Sequence, residues 1–239
     1  MDSLYRHKSL WDHKPVLREI YLHYYRLIAQ FAQGGRSLEI GGGSGNFKEF
    51  YPDVITTDIV FTPWADVIAD AHQLPFRPSS FENLILIDVL HHLENPCTFI
   101  DEARRILRPN GRVIMIEPCI SLFSAPFYDW FHPEPVDMNA DPFVVVQPDK
   151  HRRPFDANQA IPTLMFLKRR RKFEMKYDDL AIVHIDRFDF LAYPLSGGFR
   201  SWSLIPSAWV APLKKMETLA PSFGKNFFAF RLIVVLQKR

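Results

Sequence analysis

Apolar residues along this chain recur at two spacings, and the switches between them mark out its elements. Residues 15–33 open on Pro15 and place Leu17, Ile20, Tyr21, Tyr24, Leu27, Ile28 and Phe31 near a helical repeat, which predicts an amphipathic helix. Gly34 and Gly35 end it. Strands are expected at 36–40, Val54–Asp58 and Asp66–Asp70, and Asn83–Asp88 is a nearly continuous apolar run of strand length. Runs without polar alternation are expected of parallel strands covered on both faces. Cys97–Leu107 has a helical apolar face with an acidic start and a basic end, which suits the helix dipole. RPNG then turns the chain into a fifth strand at Arg112–Glu117. A helix is expected at Asn158–Arg171, a strand near Leu180–Asp186 and a final strand at Asn226–Gln237. Strands and helices alternating in this order predict an α/β fold with a doubly wound sheet.

The pattern breaks at Pro118. From there to Pro162, eight prolines fall among Phe123, Phe127, Tyr128, Trp130, Phe131, Phe143 and Phe155. Such a segment makes a poor helix or central strand, yet it is too apolar for a disordered linker. Long inserts of this kind tend to be lids or binding loops. A second aromatic and proline stretch begins at the LSGGF turn, Leu195–Phe199, and ends near Pro212. No shift of composition separates either stretch from the rest, so a single domain with a large cap is expected.

Composition narrows the class only a little. The 239 residues are 47% hydrophobic and 23% charged, and the formal net charge of +2 argues for neither nucleic acid nor a membrane surface. Cys97 and Cys119 form no metal-ligand or redox spacing, so no metal is expected and a reducing, cytoplasmic setting is the simplest one. The first residues, MDSLYRHKSLWDHK, have no apolar signal core, and no apolar run approaches the roughly 18 residues that would span a bilayer.

The candidate chemistry lies at Leu38–Phe47, LEIGGGSGNF, where Gly41, Gly43 and Gly45 stand at alternate positions after a strand. Without a Cβ the backbone can turn sharply there and come close to a ligand, and amides at a following helix start can hold a carboxylate or phosphate. Acidic residues end the next strands: Asp58, Asp70 in ADAHQLPF, and Asp88 in DVLHHL. These features fall at the C-terminal ends of successive predicted strands, where open α/β sheets bind ligands. A dinucleotide site would need GxGxxG, but the third position is Asn46 counted from Gly41 and Lys48 counted from Gly43.

In order and spacing, residues 35–118 resemble the class I S-adenosylmethionine-dependent methyltransferases, in particular the broad small-molecule (type 11-like) group that includes quinone-biosynthesis enzymes. The resemblance implies a Rossmann-like sheet of seven strands, mostly parallel with the last antiparallel, with helices on both faces and the aromatic, proline-rich insert as a cap. Glu39, Gly41, Gly43 and Gly45 match the motif that cradles the methionine part of the cofactor. Asp58, with Ile59 beside it, matches the residue that takes both ribose hydroxyls, a pairing a carboxylate can make. Asp70 and Ala71 match the residues at the adenine, and Asp88 and Val89 match the segment that closes the fourth strand. The implied division is an N-terminal helical cap at 1–35, a cofactor-binding half at 36–118, and acceptor-site insertions at 119–157 and 190–225. The implied cofactor is S-adenosyl-L-methionine, with S-adenosyl-L-homocysteine as its product.

The acceptor is then expected to be small or amphipathic: lipid-like, aromatic or a sugar. Its pocket is expected from Tyr5 and Trp11, from Phe123–Phe131, and from LSGGFRSWSLIP. His91, His92 and His132 are the catalytic candidates, since imidazole suits general-base work near neutral pH. Tyr128, Asp129 and Glu134 are further polar residues that could face the acceptor. A non-catalytic, cofactor-binding scaffold and an RNA methyltransferase are the alternatives. Against the second, Asn95-Pro96-Cys97 reads as a helix start rather than a nucleophile motif, and Lys168–Lys172 as the solvated end of a helix.

Overall fold

The structure, a computed structural model, describes residues 2–147 and 149–239. Helices α1 (Asp2–His13) and α2 (Pro15–Phe31) lead into strand β1 (Ser37–Ile40), the glycine turn and a short α3 (Asn46–Phe50). Strands β2 (Ile55–Asp58), β3 (Val67–Ile68) and β4 (Phe81–Ile87) follow, then α4 (Pro96–Ile106) and β5 (Leu107–Pro118). The remainder comprises α5 (Ser124–Phe131), α6 (Ile161–Thr163), α7 (Arg170–Lys176), β6 (Leu180–Phe188), α8 (Ala192–Ser196), α9 (Val210–Thr218), α10 (Ser222–Phe228) and β7 (Arg231–Lys238). The seven strands lie in the order β3-β2-β1-β4-β5-β7-β6, all parallel except β7, which is antiparallel to both neighbours. That is the expected sheet.

Alternation along the central strands explains why they read as unbroken apolar runs. Leu84 and Leu86 of β4, Val113 and Met115 of β5, and Leu232, Val234 and Leu236 of β7 enter a core shared with Phe99, Ile100 and Ala103 of α4. Ile85, Ile114, Ile233 and Val235 enter a second core with Leu17, Ile20, Tyr24 and Ile28 of α2. Each fully buried Leu or Ile contributes about 1.5–3 kcal/mol, so neither face can carry polar residues without loss. No helix among the described residues is long and apolar enough to cross a membrane.

Four elements differ from the sequence reading. RPNG, expected as a turn before Arg112, lies inside β5, where the register shifts and Asn110 takes a φ of 64°. The final strand begins at Arg231 rather than Asn226, because Asn226–Phe228 close α10 and Phe228 stacks on Phe123. An apolar run of aromatics does not by itself distinguish strand from short helix. The insert holds a helix after all, α5, with Pro126 in its first turn, where a missing N–H costs no intrahelical bond. Finally, the helix expected at Asn158–Arg171 is interrupted: Leu164–Lys168 form a π turn closed by Arg169 N–H donating to the Leu164 carbonyl at 2.9 Å. The basic run lies where this turn meets α7, with Arg169 and Lys172 paired to Asp141 and Arg170 to Glu174.

Candidate active site

The strand tips open into a cavity of about 1280 Å³ that runs from the glycine turn to the cap. Gly41, Gly43 and Gly45 all have positive φ, at 67°, 53° and 73°. They do different work. A Cβ on Gly41 would lie 2.6 Å from Val89 Cγ2, and one on Gly45 would lie 2.6 Å from Trp64 Cβ, so those two glycines allow the turn to pack. A Cβ on Gly43 would meet nothing nearer than Leu4 Cδ2 at 3.8 Å and would project into open space. Gly41 and Gly43 line the cavity, whereas Gly45 does not.

The carboxylates around the turn are held in unlike ways. Asp58, at the end of β2, accepts the Gly43 N–H at 2.9 Å and the Val60 N–H at 2.8 Å, which fixes it against the bend. The Gly43 amide is therefore spent on Asp58 rather than held free at the start of the short α3. Glu39 is buried, and its Oε2 has no hydrogen-bond partner. Burial, followed by the charge of Asp58, pushes its carboxyl up to about 8. Asp70 is half-exposed and accepts the His72 backbone N–H at 2.9 Å, and its neighbour Ala71 is buried at the cavity wall. Ile59 is exposed beside Asp58.

Asp88 has a positive φ of 59° and lines the cavity, half-buried. Its carboxylate accepts the Tyr21 hydroxyl at 2.9 Å and pairs with the Arg231 guanidinium at 2.6 Å. Arg231 comes from β7 and is 1% exposed, with its charge over the rings of Tyr24 and Tyr193. The sequence reading missed this partner, although a lone arginine opening an apolar strand is a readable anomaly.

On the far side of Val89 the structure gathers the histidines. His91 Nδ1 lies 2.7 Å from Glu117 Oε2, while Glu117 Oε1 accepts the Val89 and Leu90 amides at 2.9 and 2.7 Å. His91 Nε2 faces Glu134 at 3.4 Å, and His92 and His132 approach the same carboxylate at 3.9 and 3.7 Å. Burial pushes His91 down, but hydrogen bonds to Glu117 and Glu134 outweigh it and lift the imidazole to about 9. Burial, then the His91 charge, lowers His92 to about 4; burial also lowers His132. Burial would raise Glu134, yet the His91 hydrogen bond and the neighbouring imidazoles pull it down to about 2. Burial thus favours the neutral form of His92 and His132, while the two carboxylates favour the charged form of His91.

The expected acceptor wall is partly redrawn. Tyr5 and Trp11 do not line the cavity: Tyr5 packs edge-on to Trp64, and the Trp11 Nε1–H donates to Glu49. Helix α1 instead presents Leu4, Arg6 and His7. Tyr128 is buried, with its hydroxyl donating to the Phe230 carbonyl, and Asp129 is exposed outside the cavity. Phe127 and Phe131 line it, while Phe123 does not. From LSGGFRSWSLIP come Phe199, Arg200 and Trp202, in a loop pinned by Lys14, whose Nζ donates to the carbonyls of Gly198, Arg200 and Trp202. Cys97 is buried in the first turn of α4, where its Sγ meets the Pro142 carbonyl at 3.3 Å.

A family profile described as a methyltransferase domain matches residues 38–115. An uncharacterized protein of Methanocaldococcus jannaschii is 35% identical over 89 residues, 34% of this chain and 43% of that protein. The chain thus spans less than half the length of this curated relative. Among solved structures, an S-adenosylmethionine-dependent methyltransferase of Thermotoga maritima aligns over 100% of both chains, with a TM-score of 0.60 at 15% identity. Another from Archaeoglobus fulgidus covers 92% of this chain and 94% of its own, with a TM-score of 0.56 at 17% identity. At such identities the likeness is one of fold, and the profile match adds the motif-bearing stretch that lines the cavity. Residues 38–115 thus match a methyltransferase domain, and the chain as a whole shares the fold of solved S-adenosylmethionine-dependent methyltransferases.

Proposed function

We propose that the protein transfers the methyl group of S-adenosylmethionine to a small or amphipathic acceptor, with the cofactor across the strand tips and the acceptor under the cap. One observation carries this reading: a single cavity joins the glycine turn to an aromatic wall of Phe127, Phe131, Phe199 and Trp202. At about 1280 Å³ it exceeds the usual range for one small ligand, leaving room for two. The residues at the turn fit the cofactor. The orphaned Glu39 oxygen suits an ammonium, and the open space over Gly43 suits close approach of a chain. Asp58 would hold the ribose, Asp70 and Ala71 the adenine, and Val89 the floor between cofactor and acceptor.

Bound there, S-adenosylmethionine supplies an electrophilic methyl on a sulfonium. The chain's own contribution is alignment and exclusion of water, which need no covalent enzyme intermediate. His91, His92 and His132 lie on the acceptor side, where imidazole chemistry suits an acceptor that must lose a proton. The segments 119–157 and 190–225 form that side, and a cytoplasmic setting accords with two free, buried cysteines. Three of the five cations in the basic run, Arg169, Arg170 and Lys172, are paired with Asp141 or Glu174, which reduces what the run offers to a nucleic-acid backbone. A panel of lipids, quinone-like phenols, sugars and oligonucleotides, titrated with S-adenosylhomocysteine present, tests the acceptor class. Binding by a small or amphipathic compound is expected; preference for oligonucleotides over all of them would refute it.

Glu39 gives this reading a pH signature. Its folded value of about 8 lies above the unfolded 4.5, so its protonation stabilises the fold fully below about 4.5, and this is lost as pH rises through about 8. A cation held at Oε2 favours the carboxylate. Binding of S-adenosylhomocysteine should therefore release a proton and tighten as pH rises from about 5 to about 7.5. Calorimetry in buffers of different ionisation enthalpy reads the release directly. Glu39→Gln should remove it, and proton-neutral binding by the unaltered protein would place the ammonium elsewhere.

A further inference from the structure

We propose that His91, His92 and Glu134 bind one first-row divalent cation, of which zinc is the simplest case, at the acceptor end of the cavity. One donor atom from each of the three lies within 4.8 Å of the others, although linear spacing of cysteines and histidines shows no such site. The distances suit a small cation. Donors about 2.0–2.1 Å from a tetrahedral metal stand about 3.4 Å apart, and the Glu134 oxygens lie 3.4 Å from His91 Nε2 and 3.9 Å from His92 Nε2.

The support behind these donors is that of a ligand set. Glu117 holds His91 Nδ1 at 2.7 Å and is itself fixed by two backbone amides, so the ring presents Nε2 to the cavity. A carboxylate on the remote nitrogen orients a metal-binding imidazole and raises its basicity. Gln159, 2% exposed, donates to Glu134 Oε2 and leaves its own Oε1 without a partner, and the buried His92 Nδ1 also lacks one. Water on a bound cation would supply the donor that Gln159 Oε1 lacks.

An ion pair alone accounts for this cluster less well. The contact of His91 Nε2 with Glu134, 3.4 Å, is long beside the 2.7–2.9 Å of a charge-assisted hydrogen bond. His91, His92 and His132 all face that carboxylate, yet at 3.4, 3.9 and 3.7 Å none of them stands at charge-assisted hydrogen-bond length. A cation joins several at once. Two imidazoles and a carboxylate leave a coordination position open, as in zinc sites that act on a substrate. All three residues line the cavity, so that position faces the place where an acceptor would bring a hydroxyl or carboxylate oxygen. This last role rests on the methyltransferase reading; the binding of the metal does not.

The test is metal uptake by the full chain. Protein stripped by a chelator is dialysed against Zn²⁺ and its metal content counted. A parallel sample with Co²⁺ is read by visible absorption, which reports a four-coordinate nitrogen–oxygen site. One equivalent is expected in the unaltered protein and in His151→Ala, an exposed control. Affinity should fall at least tenfold in His92→Ala and in the near-isosteric Glu134→Gln, with circular dichroism confirming that both are folded. No stoichiometric uptake, or uptake that both variants retain, overturns the site. Calorimetry with S-adenosylhomocysteine on the metal-free protein separates the two proposals: failure to bind there counts against the methyltransferase function, not against the metal site.

Discussion

Gly43→Val is expected to lower S-adenosylhomocysteine affinity by about a hundredfold or more, about 2.8 kcal/mol, while the protein stays folded. The reason is that this glycine differs from its neighbours in the same turn. Its Cβ would meet nothing nearer than 3.8 Å, so the added side chain occupies cavity rather than core. The cost to the fold is the left-handed backbone at φ 53°, about 1–2 kcal/mol for a residue with a Cβ. Gly45→Val is the informative contrast. There the Cβ would stand 2.6 Å from Trp64, and the residue does not line the cavity, so stability should fall with little direct effect on the ligand surface. Urea titrations and calorimetry on the two variants check both halves. Unchanged affinity in a folded Gly43→Val protein would move the cofactor away from this bend.

Asp88→Ala is expected to cost about 3–5 kcal/mol of stability, the largest single loss anticipated here. Its carboxylate is the counter-ion of Arg231, which is 1% exposed, and it also takes the Tyr21 hydroxyl. Removing it leaves a nearly buried guanidinium among aromatic rings without its carboxylate. Alanine at φ 59° adds backbone strain. Adding Arg231→Met should recover part of the loss, because the pair is worth less than the penalty of splitting it. Denaturant unfolding of the single and double variants measures this. A loss below about 1 kcal/mol in Asp88→Ala would show that the guanidinium reaches solvent by another route.

Much of the sheet was legible along the chain because burial on both faces fills most of β4, β5 and β7 with apolar residues. The glycine turn was legible for a related reason: three alternate positions need positive φ, and glycine takes it without penalty. Legibility failed where one pattern serves two conformations. Asn226–Phe230 has the apolar density of a strand, yet its first half ends a helix whose Phe228 stacks on Phe123. It failed again in α1, where Tyr5 and Trp11 were expected to face the acceptor. Both are large and aromatic, but the helix turns them toward Trp64 and Tyr21, so Arg6 and His7 face the cavity instead.

By itself the sequence determined the order of strands and helices, the bend of alternate glycines and the acidic residues that end each strand. These are local properties, set by backbone conformation and by the period of burial. Only the tertiary structure decided which carboxylate is free to meet a ligand. Glu39 is left with an unpartnered oxygen, Asp58 is engaged by two amides, and Asp88 is neutralised by an arginine from the last strand. It alone brought Glu134 and Glu117 to either side of His91. Such pairings join residues far apart in the chain, and a charge or lone pair acquires its chemistry from whatever the fold places within a few ångströms of it.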